Sequence, residues 1–504
     1  MHNIIRYALP MLLLLGISFC LLASPELPVL KKGAGKLRYT VSDDEPKAFI
    51  RLAMRAAGNY QAVKTIKFET IRANHNKWQN YSFQHPKPTF DNAYREIDFE
   101  KKKIYFKTVS RYGGGYVFEF VTAGSDTVIY NYDVNKSRNG KRLVKGNQKT
   151  LENTILTQSA FLPYYNLKAL LETTDSLSLR KEGKVTVIRK FARNGNRQDF
   201  YFSPAYQLTR TSLLQPGLVV DTWYSDYVSY QGIYYPKKTR VTSNGETQLK
   251  DEVVALSINK PFNDTILAIP AEYVLPVQAS ANMKASEIKK DIYLIENVQG
   301  RNVLFVNLAN GILVTEAPLS SEVSRSIIAL IHNTLPGKPI KYVHLSHFHN
   351  DHTHGIRAFV HEGTTIITTP ATAKAIAEVI NDTSGRYIDD LSKEPRPAKF
   401  ELFNQHKILS DAQHPVRFYT VPSNHAEGLS FLYLPVEKLI YEGDLYTLPD
   451  DGTITPATET TRGFHRFLQM EKIVWERMVG HHGLNTITPA MLETAVQMTP
   501  AASK

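Results

Sequence analysis

Six consecutive residues, 347–352, constrain this 504-residue chain more than any other feature. They read His-Phe-His-Asn-Asp-His and follow residues 340–345, an apolar run typical of a buried strand. Residues i and i+2 of an extended segment point to the same side, so His347 and His349 can converge on one ion. Asp351 and His352 lie just beyond and are placed to serve a second ion. The pattern predicts a metal site at the end of a buried strand.

Three later segments supply further candidate ligands in the same manner. Residues 416–421 read as a strand that leads to His425, and residues 438–443 read as a strand that leads to Asp444. A helix-like segment, residues 467–478, leads to the adjacent His481 and His482. With one of the two adjacent histidines counted, the seven candidate ligands are more than a closed, four-coordinate structural site needs, which favours catalysis.

This order of residues resembles the metallo-β-lactamase superfamily over residues 286–490. The resemblance implies an αββα sandwich with two metal ions. It implies a first ion held by His347, His349 and His425, a second held by Asp351, His352 and His482, and a bridging Asp444. His481 stays an alternative to His482, which is preferred because a glycine follows it. Glu316 is a candidate for orienting a ligand, and His354 stands where the family often has a small residue.

The resemblance implies hydrolysis by hydroxide that two divalent cations generate from a shared water. Zn²⁺ fits a set of His and carboxylate ligands, and iron or manganese would fit the same ligands. Asp351 would hold the nucleophile and take its proton. Asn424 or Tyr446, which lie beside ligands in the sequence, would donate a hydrogen bond to the developing oxyanion.

The expected substrate is a small molecule with an ester, lactone, thioester or amide bond. β-Lactamases of the superfamily use a Cys ligand or lack the bridging Asp. This chain has neither property, because its only cysteine is Cys20, in the expected leader, and because Asp444 stands at the bridging position. Two alternatives stay open: an iron-dependent redox enzyme on the same fold, and a carrier or binding protein with an accessory metal domain. Residues 447–464 are expected to form a loop near the site.

The first half of the chain has a different texture. After an expected helix near residues 46–60, most segments alternate with period two between turn residues, which predicts a meander of antiparallel strands. A helix followed by a long meander resembles the half-barrels of periplasmic lipoprotein carriers, which implies an acyl or lipid ligand; the alternative is a purely structural domain. The predicted class is α+β, with a leader at residues 1–24, a β-rich domain at 25–278 and a metallo-β-lactamase-like domain at 279–504.

The first residues are typical of a secretory signal peptide: Arg6 precedes the apolar residues 11–23, and small residues follow. This predicts a periplasmic or secreted protein, and a retained N-terminal membrane anchor is the alternative. Removal of the leader would also remove Cys20, so no disulfide-linked partner is expected. The formal net charge of +12 is dispersed and comes with no nucleic-acid-binding motif, so no nucleic-acid partner is expected.

Overall fold

The computed structural model describes residues 44–191, 196–275 and 282–499. The described residues before 276 are called the N-terminal region below, and those from 282 onwards the C-terminal region. The predicted leader and the predicted domain boundary at residues 278 and 279 lie outside the described residues. Within the described ranges, no helix combines the length and the hydropathy that crossing a bilayer requires.

The described N-terminal residues form one antiparallel sheet of 13 strands, together with three helices. Its strands are β1 (Thr65–Asn74), β2 (Thr89–Asp98), β3 (Lys103–Arg111), β4 (Val117–Ser125), β5 (Val128–Asp133), β6 (Leu143–Asn147), β7 (Ser176–Glu182), β8 (Val185–Phe191), β9 (Arg197–Phe202), β10 (Leu208–Gln215), β11 (Leu218–Tyr230), β12 (Ile233–Ser243) and β13 (Glu246–Ile258). The helices are α1 (Asp44–Ala56), α2 (Gln148–Ser159) and α3 (Pro163–Leu171). Neighbours in sequence pair from β1 to β6 and from β7 to β13, and β1 also pairs with β13. Strands β6 and β7 do not pair with each other and form the two edges of the sheet.

The three helices bury apolar residues against this sheet. Ile50 of α1 and Leu167 of α3 share a core cluster with Phe202, and Leu151 of α2 packs with Phe68 of β1. The predicted meander and first helix are confirmed, and the helix ends at Ala56. The half-barrel resemblance and its acyl ligand stay predictions.

Helices α2 and α3 were not predicted, although their ends carry local signals. The side chain of Asn147 caps α2 by accepting a hydrogen bond from the backbone of Thr150. Pro163 stands at the first position of α3, where its missing N–H costs nothing. Both helices are short and interrupt a long run of strands, so the period-two pattern around them concealed their spacing.

The C-terminal region contains two further sheets. The first consists of β14 (Lys284–Lys289), β15 (Ile292–Glu296), β16 (Val303–Leu308), β17 (Gly311–Thr315), β18 (Ile340–His344), β19 (Thr365–Thr368) and β20 (Lys399–Leu402), in that order. The second consists of β21 (His406–Leu409), β22 (Val416–Thr420), β23 (Ser430–Leu434), β24 (Leu439–Glu442) and β25 (Arg477–Gly480), also in order. The helices are α4 (Ser321–Thr334), α5 (Asn350–Thr353), α6 (Ile356–Glu362), α7 (Pro370–Ile380), α8 (Asp390–Lys393), α9 (Glu459–Met470) and α10 (Pro489–Gln497).

Alternating side chains of these strands build three stacked cores. Phe305 of the first sheet faces helices α4, α6 and α7, while Leu304 beside it faces the second sheet. Leu432 of the second sheet meets the first sheet, and Phe431 faces helices α9 and α10. Successive side chains of a strand point to opposite faces, so a sheet with apolar residues on both faces packs against a layer on each side. The layers therefore run helix, sheet, sheet, helix.

Two predicted boundaries in this region are wrong. The expected helix at residues 467–478 lies instead at Glu459–Met470, and Arg477–Gly480 forms β25, which pairs in parallel with β24. The expected loop at 447–464 accordingly ends at Thr458, whose side chain caps α9 by accepting from the backbone of Thr461. The polar first turn of α9 carries little apolar periodicity, which explains the late predicted start.

Candidate metal centre

The candidate ligands follow the carboxyl ends of strands of the two C-terminal sheets. The His347–His352 run follows β18, which pairs in parallel with β17, and Asp444 and His481 follow the parallel pair β24 and β25. His425 lies in the connection between β22 and β23. The carboxyl ends of parallel strands meet at one edge of a sheet, so these loops bring their side chains together.

Two groups of potential donors result. The first donor group contains His347, His349, His425 and Asp444, and the ligand atoms of its members lie within 4.8 Å of one another. The second donor group contains His352, His481 and His482, with the same maximum separation. Each group could hold a metal ion.

Asp444 lies between the two groups. Its Oδ2 atom is 3.0 Å from Nε2 of His425 and 3.5 Å from Nε2 of His352, while its Oδ1 atom is 3.5 Å from Nε2 of His482. Asp351 joins the second group, because its Oδ2 atom is 3.1 Å from Nε2 of His482. Its Oδ1 atom is 3.9 Å from Nε2 of His352.

Neighbouring groups fix the orientation of several imidazole rings. Nδ1 of His347 lies 2.9 Å from the hydroxyl of Ser346, and Nδ1 of His352 lies 3.3 Å from the carboxylate of Glu316. Such partners are typical of metal-binding histidines, since they leave the second ring nitrogen to face the ion.

Two further rings are oriented through backbone carbonyls. Nε2 of His349 lies 3.1 Å from the carbonyl oxygen of Asn80, and Nδ1 of His481 lies 3.0 Å from that of Asn302. Tyr441 also holds His481, with its hydroxyl 2.9 Å from Nδ1.

Several polar atoms that face the centre of the cluster have no hydrogen-bond partner although they are buried. They are Nε2 of His347, Nε2 of His481 and Oδ1 of Asp444. An unpartnered buried polar atom costs about 1–3 kcal/mol, so three at one place indicate a site for a bound cation. Neutral imidazole and carboxylate are the donors that divalent transition metals accept, and the residues present fit two such ions.

The charge states of His347 and His349 agree with a metal-binding role, because histidine binds a metal as the neutral imidazole. Burial lowers the pKa of His349 to about 3, and burial with the neighbouring histidines lowers that of His347 well below its usual range. Burial also acts to lower the pKa of His352, but the carboxylates of Asp444 and Asp351, with that of Glu316, raise it well above the ordinary value. The two aspartates keep a pKa well below the usual one despite burial, because His352 and His482 lie beside them.

The two residues expected to donate to an oxyanion are placed differently from the ligands. The amide of Asn424 is exposed and donates to Glu459 at 2.8 Å. The ring of Tyr446 lies in the core beneath α9 and α10, and its hydroxyl is 3.4 Å from the carbonyl oxygen of Met491. Their catalytic roles stay predictions. His354 lies outside both donor groups, with its ring 4.7 Å from that of Trp78.

Arg301 was missed in the sequence. It lies between β15 and β16, and its guanidinium is 3.3 Å from Oδ2 of Asp351. Asn302 and Tyr441, which hold His481, were also missed. None of the three belongs to a local motif. Tyr441 lies within β24, and Asn302 directly precedes β16.

No protein-family model and no curated protein matches the chain.

Solved structures do match part of the chain. The stereoselective inverting sec-alkylsulfatase Pisa1 from Pseudomonas sp. is 14% identical, with a TM-score of 0.31, over 42% of this chain and 40% of that protein. A metallo-β-lactamase from Pontibacter korlensis is 16% identical, with a TM-score of 0.34, over 42% of this chain and 97% of its own length. A flavodiiron protein from Giardia intestinalis is 13% identical, with a TM-score of 0.31, over 43% of this chain and 58% of that protein. The chain is thus similar to metallo-β-lactamase-fold proteins over about two fifths of its length and spans less than half of the alkylsulfatase.

Proposed function

We propose that this protein is an exported metal-dependent hydrolase whose centre holds two divalent cations. The observation that carries the proposal is the position of Asp444, whose carboxylate lies within 3.5 Å of His425 in the first donor group and of His352 and His482 in the second. Two cations held there would supply an activated water and polarise the bond to be cleaved. The seven proposed ligands are those predicted from the sequence, and His481 is an additional donor to the second ion.

Asp351 is the residue best placed to orient the attacking water. Its Oδ2 atom contacts both His482 and Arg301, at 3.1 and 3.3 Å. The histidines and Arg301 keep its pKa well below the usual value, so it is ionised and accepts a hydrogen bond at neutral pH. Arg301 would hold this carboxylate in a single orientation, since the side chain of Arg301 is nine-tenths buried and donates to the carbonyl of Gln299 at 2.8 Å as well.

The donor set favours zinc. Imidazole and carboxylate suit Zn²⁺, and the only cysteine of the chain is Cys20, so thiolate ligands do not enter. Iron or manganese would accept the same donors, and iron would open redox chemistry. Metal analysis of the purified protein, with an absorption spectrum, distinguishes these cases.

The proposed substrate is a small molecule with an ester, lactone, thioester or amide bond and an apolar portion. The ring of Tyr116 in the N-terminal region lies 5.3 Å from that of His425. Two more aromatic rings continue from it, since Phe118 stacks 6.2 Å from Tyr116 and Tyr112 lies 5.5 Å from Phe118. Tyr112 and Phe118 are half-buried, so part of each ring is open to a ligand. Such a wall favours an acyl or aryl group beside the reacting bond.

The export part of the proposal depends on residues 1–24 alone. Sequencing the N-terminus of the protein recovered from the periplasm or the medium tests it. A mature chain that begins near residue 25 supports export, and a chain that keeps Met1 contradicts cleavage.

A hydrolysis screen of the zinc-loaded protein tests the activity. The panel contains aryl esters, lactones, thioesters and amides, and the variants are His349→Ala and Asp444→Ala. His414→Gln is the matched control, because His414 is equally buried and paired with Glu437 at 2.6 Å but lies in neither donor group. We expect activity in the wild type and the control only. Turnover that survives in both variants would refute the dinuclear centre.

A further inference from the structure

Three of the four residues in the first donor group are contacted by the N-terminal region. Nε2 of His349 donates to the carbonyl oxygen of Asn80 at 3.1 Å. The hydroxyl of Tyr116 donates to the carbonyl oxygen of Asp444 at 2.6 Å, and its ring meets that of His425 edge to face. These contacts come from residues more than 260 positions earlier in the chain.

The carbonyl of Asn80 is held firmly in place. The side chain of Asn80 donates to the carbonyl of Lys87 at 2.6 Å and accepts from its N–H at 2.9 Å, which closes the loop. Glu427 ties this loop to the C-terminal region, since its N–H donates to the carbonyl of Tyr81 at 2.7 Å and its carboxylate accepts from Ser82 at 2.8 Å. Because the Nε2 proton of His349 is committed to Asn80, Nδ1 is the nitrogen left to face an ion.

The glycines before Tyr116 allow the second contact. Gly114 has a φ of +78°, and a Cβ atom there would lie 2.1 Å from Oγ1 of Thr460 and 3.1 Å from Cβ of His425. A Cβ atom on Gly113 would lie 2.5 Å from the carbonyl oxygen of Asn424. Only glycine lets this turn, Gly113–Gly115, lie directly against the connection that carries His425.

The second donor group is oriented from within its own region. Glu316 contacts His352, and Tyr441 and Asn302 contact His481. In the first group, by contrast, the N-terminal region contacts three of the four residues, and Ser346 of the C-terminal region orients the fourth, His347.

We propose that the N-terminal region is a working part of the first ion's site, in which Asn80, Gly114 and Tyr116 act as positioning residues for His349, His425 and Asp444. The inference rests on the proposed metal centre. It gives the N-terminal region a role in metal binding that is separate from the predicted binding of an acyl or lipid group. It requires that changes at these positions weaken the first ion more than the second, to which only Asp444 among the three positioned residues also contributes.

Zinc affinity, measured by competition with a chromophoric chelator, tests the inference without an activity assay. Tyr116→Phe removes the hydroxyl and keeps the ring. Tyr273→Phe is the matched control, because its buried hydroxyl also donates to a backbone carbonyl at 2.6 Å, that of Asp133. The pair is compared in two backgrounds: His352→Ala, which leaves the first donor group intact, and His349→Ala, which leaves the second intact.

In the His352→Ala background, we expect Tyr116→Phe to weaken zinc binding by roughly 10- to 100-fold, the usual effect of losing an outer partner of a ligand. In the His349→Ala background we expect a smaller fall, because of the residues that Tyr116 contacts only Asp444 also faces the second group, and Tyr273→Phe should change the affinity in neither background. Equal zinc affinity with Tyr and Phe at position 116 in the His352→Ala background would overturn the inference. Failure of the wild type to bind two equivalents of zinc would instead contradict the metal centre itself.

Gly114→Ala provides a second, steric test. The added methyl group must push the turn away from Thr460 and His425, so first-site affinity should fall as it does with Tyr116→Phe. Gly183→Ala is the control for backbone strain, because Gly183 has a φ of +61° and no atom within 4 Å of the added carbon. Thermal unfolding of the metal-free proteins shows whether each variant is folded. An unchanged first-site affinity in folded Gly114→Ala would count against the proposal.

Discussion

The carboxylate of Glu316 lies 3.3 Å from Nδ1 of His352, and its other oxygen accepts the N–H of Ser346 at 3.2 Å. The side chains of Glu316 and His352 are completely buried. One carboxylate therefore fixes the ring of a second-group donor and the backbone that leads into the His347–His352 run. The left-handed φ of Glu316, +59°, is unusual for a residue with a side chain and is held by its N–H bond to His344.

Replacing this carboxylate should weaken the second ion. Glu316→Gln keeps the size of the side chain but loses its negative charge, so His352 becomes a poorer donor. We expect second-site zinc affinity to fall by roughly 10- to 100-fold while the first site is unaffected. Glu437→Gln, which alters another buried carboxylate paired with a histidine, should leave both sites unchanged. A loss at the first site instead would contradict this division.

The two adjacent histidines should contribute unequally to the second ion. Nε2 of His482 lies 3.1 Å from Oδ2 of Asp351 and 3.5 Å from Oδ1 of Asp444. The ring of His481 lies 4.3 Å from that of His352, and Nδ1 of His481 contacts Tyr441 and Asn302. We expect His482→Ala to lose the second ion and His481→Ala to weaken it. Cobalt titration followed by visible absorption measures both. A greater loss with His481→Ala would reverse the assignment.

Tyr446→Phe should leave activity within about twofold of the wild type. The hydroxyl of Tyr446 contacts the carbonyl of Met491 at a distance at which a hydrogen bond adds little, and its ring lies in the α9–α10 core. Steady-state kinetics with the best substrate of the screen checks this. A large fall in kcat at unchanged KM would restore the role in catalysis that the sequence predicted.

The clustering of the candidate ligands could be predicted because their spacing is a local property of the sequence. His347, His349 and Asp351 are spaced by two residues, and each later ligand follows a segment that reads as a strand. The four-layer arrangement follows from the same strands, since apolar residues on both faces require a layer on each side.

The contribution of the N-terminal region could not be predicted in this way. Asn80 and His349 are 269 positions apart, and no periodicity in either segment indicates the other. Asn80 also acts through its backbone carbonyl, which every residue possesses, so its type carries no signal. Three consecutive glycines at 113–115 indicate a turn, but what a turn packs against is a tertiary property.

His344 should make the fold sensitive to acid. It lies fully buried between the two C-terminal sheets, with its ring 4.9 Å from that of Phe418, and burial lowers its pKa to about 3. An exposed histidine has a pKa of about 6.5, so between these values the unfolded chain binds a proton that the native chain does not. The stabilising effect is therefore complete above about pH 6.5 and decreases as the pH falls towards 3, by about 2 kcal/mol at about pH 5.

Thermal unfolding of the metal-free protein between about pH 7.5 and pH 5 measures this effect. His344→Phe removes the titrating group and suits its aromatic neighbours, Phe403 and Phe418. The Tm of the variant should therefore fall less steeply with acid than that of the wild type. His406→Gln, at an exposed histidine, should keep the wild-type slope. Metal-free protein is required because protons compete with a bound metal for its histidine ligands, so release of the metal would add its own pH dependence. Parallel curves for the wild type and His344→Phe would show that His344 is not a source of acid sensitivity.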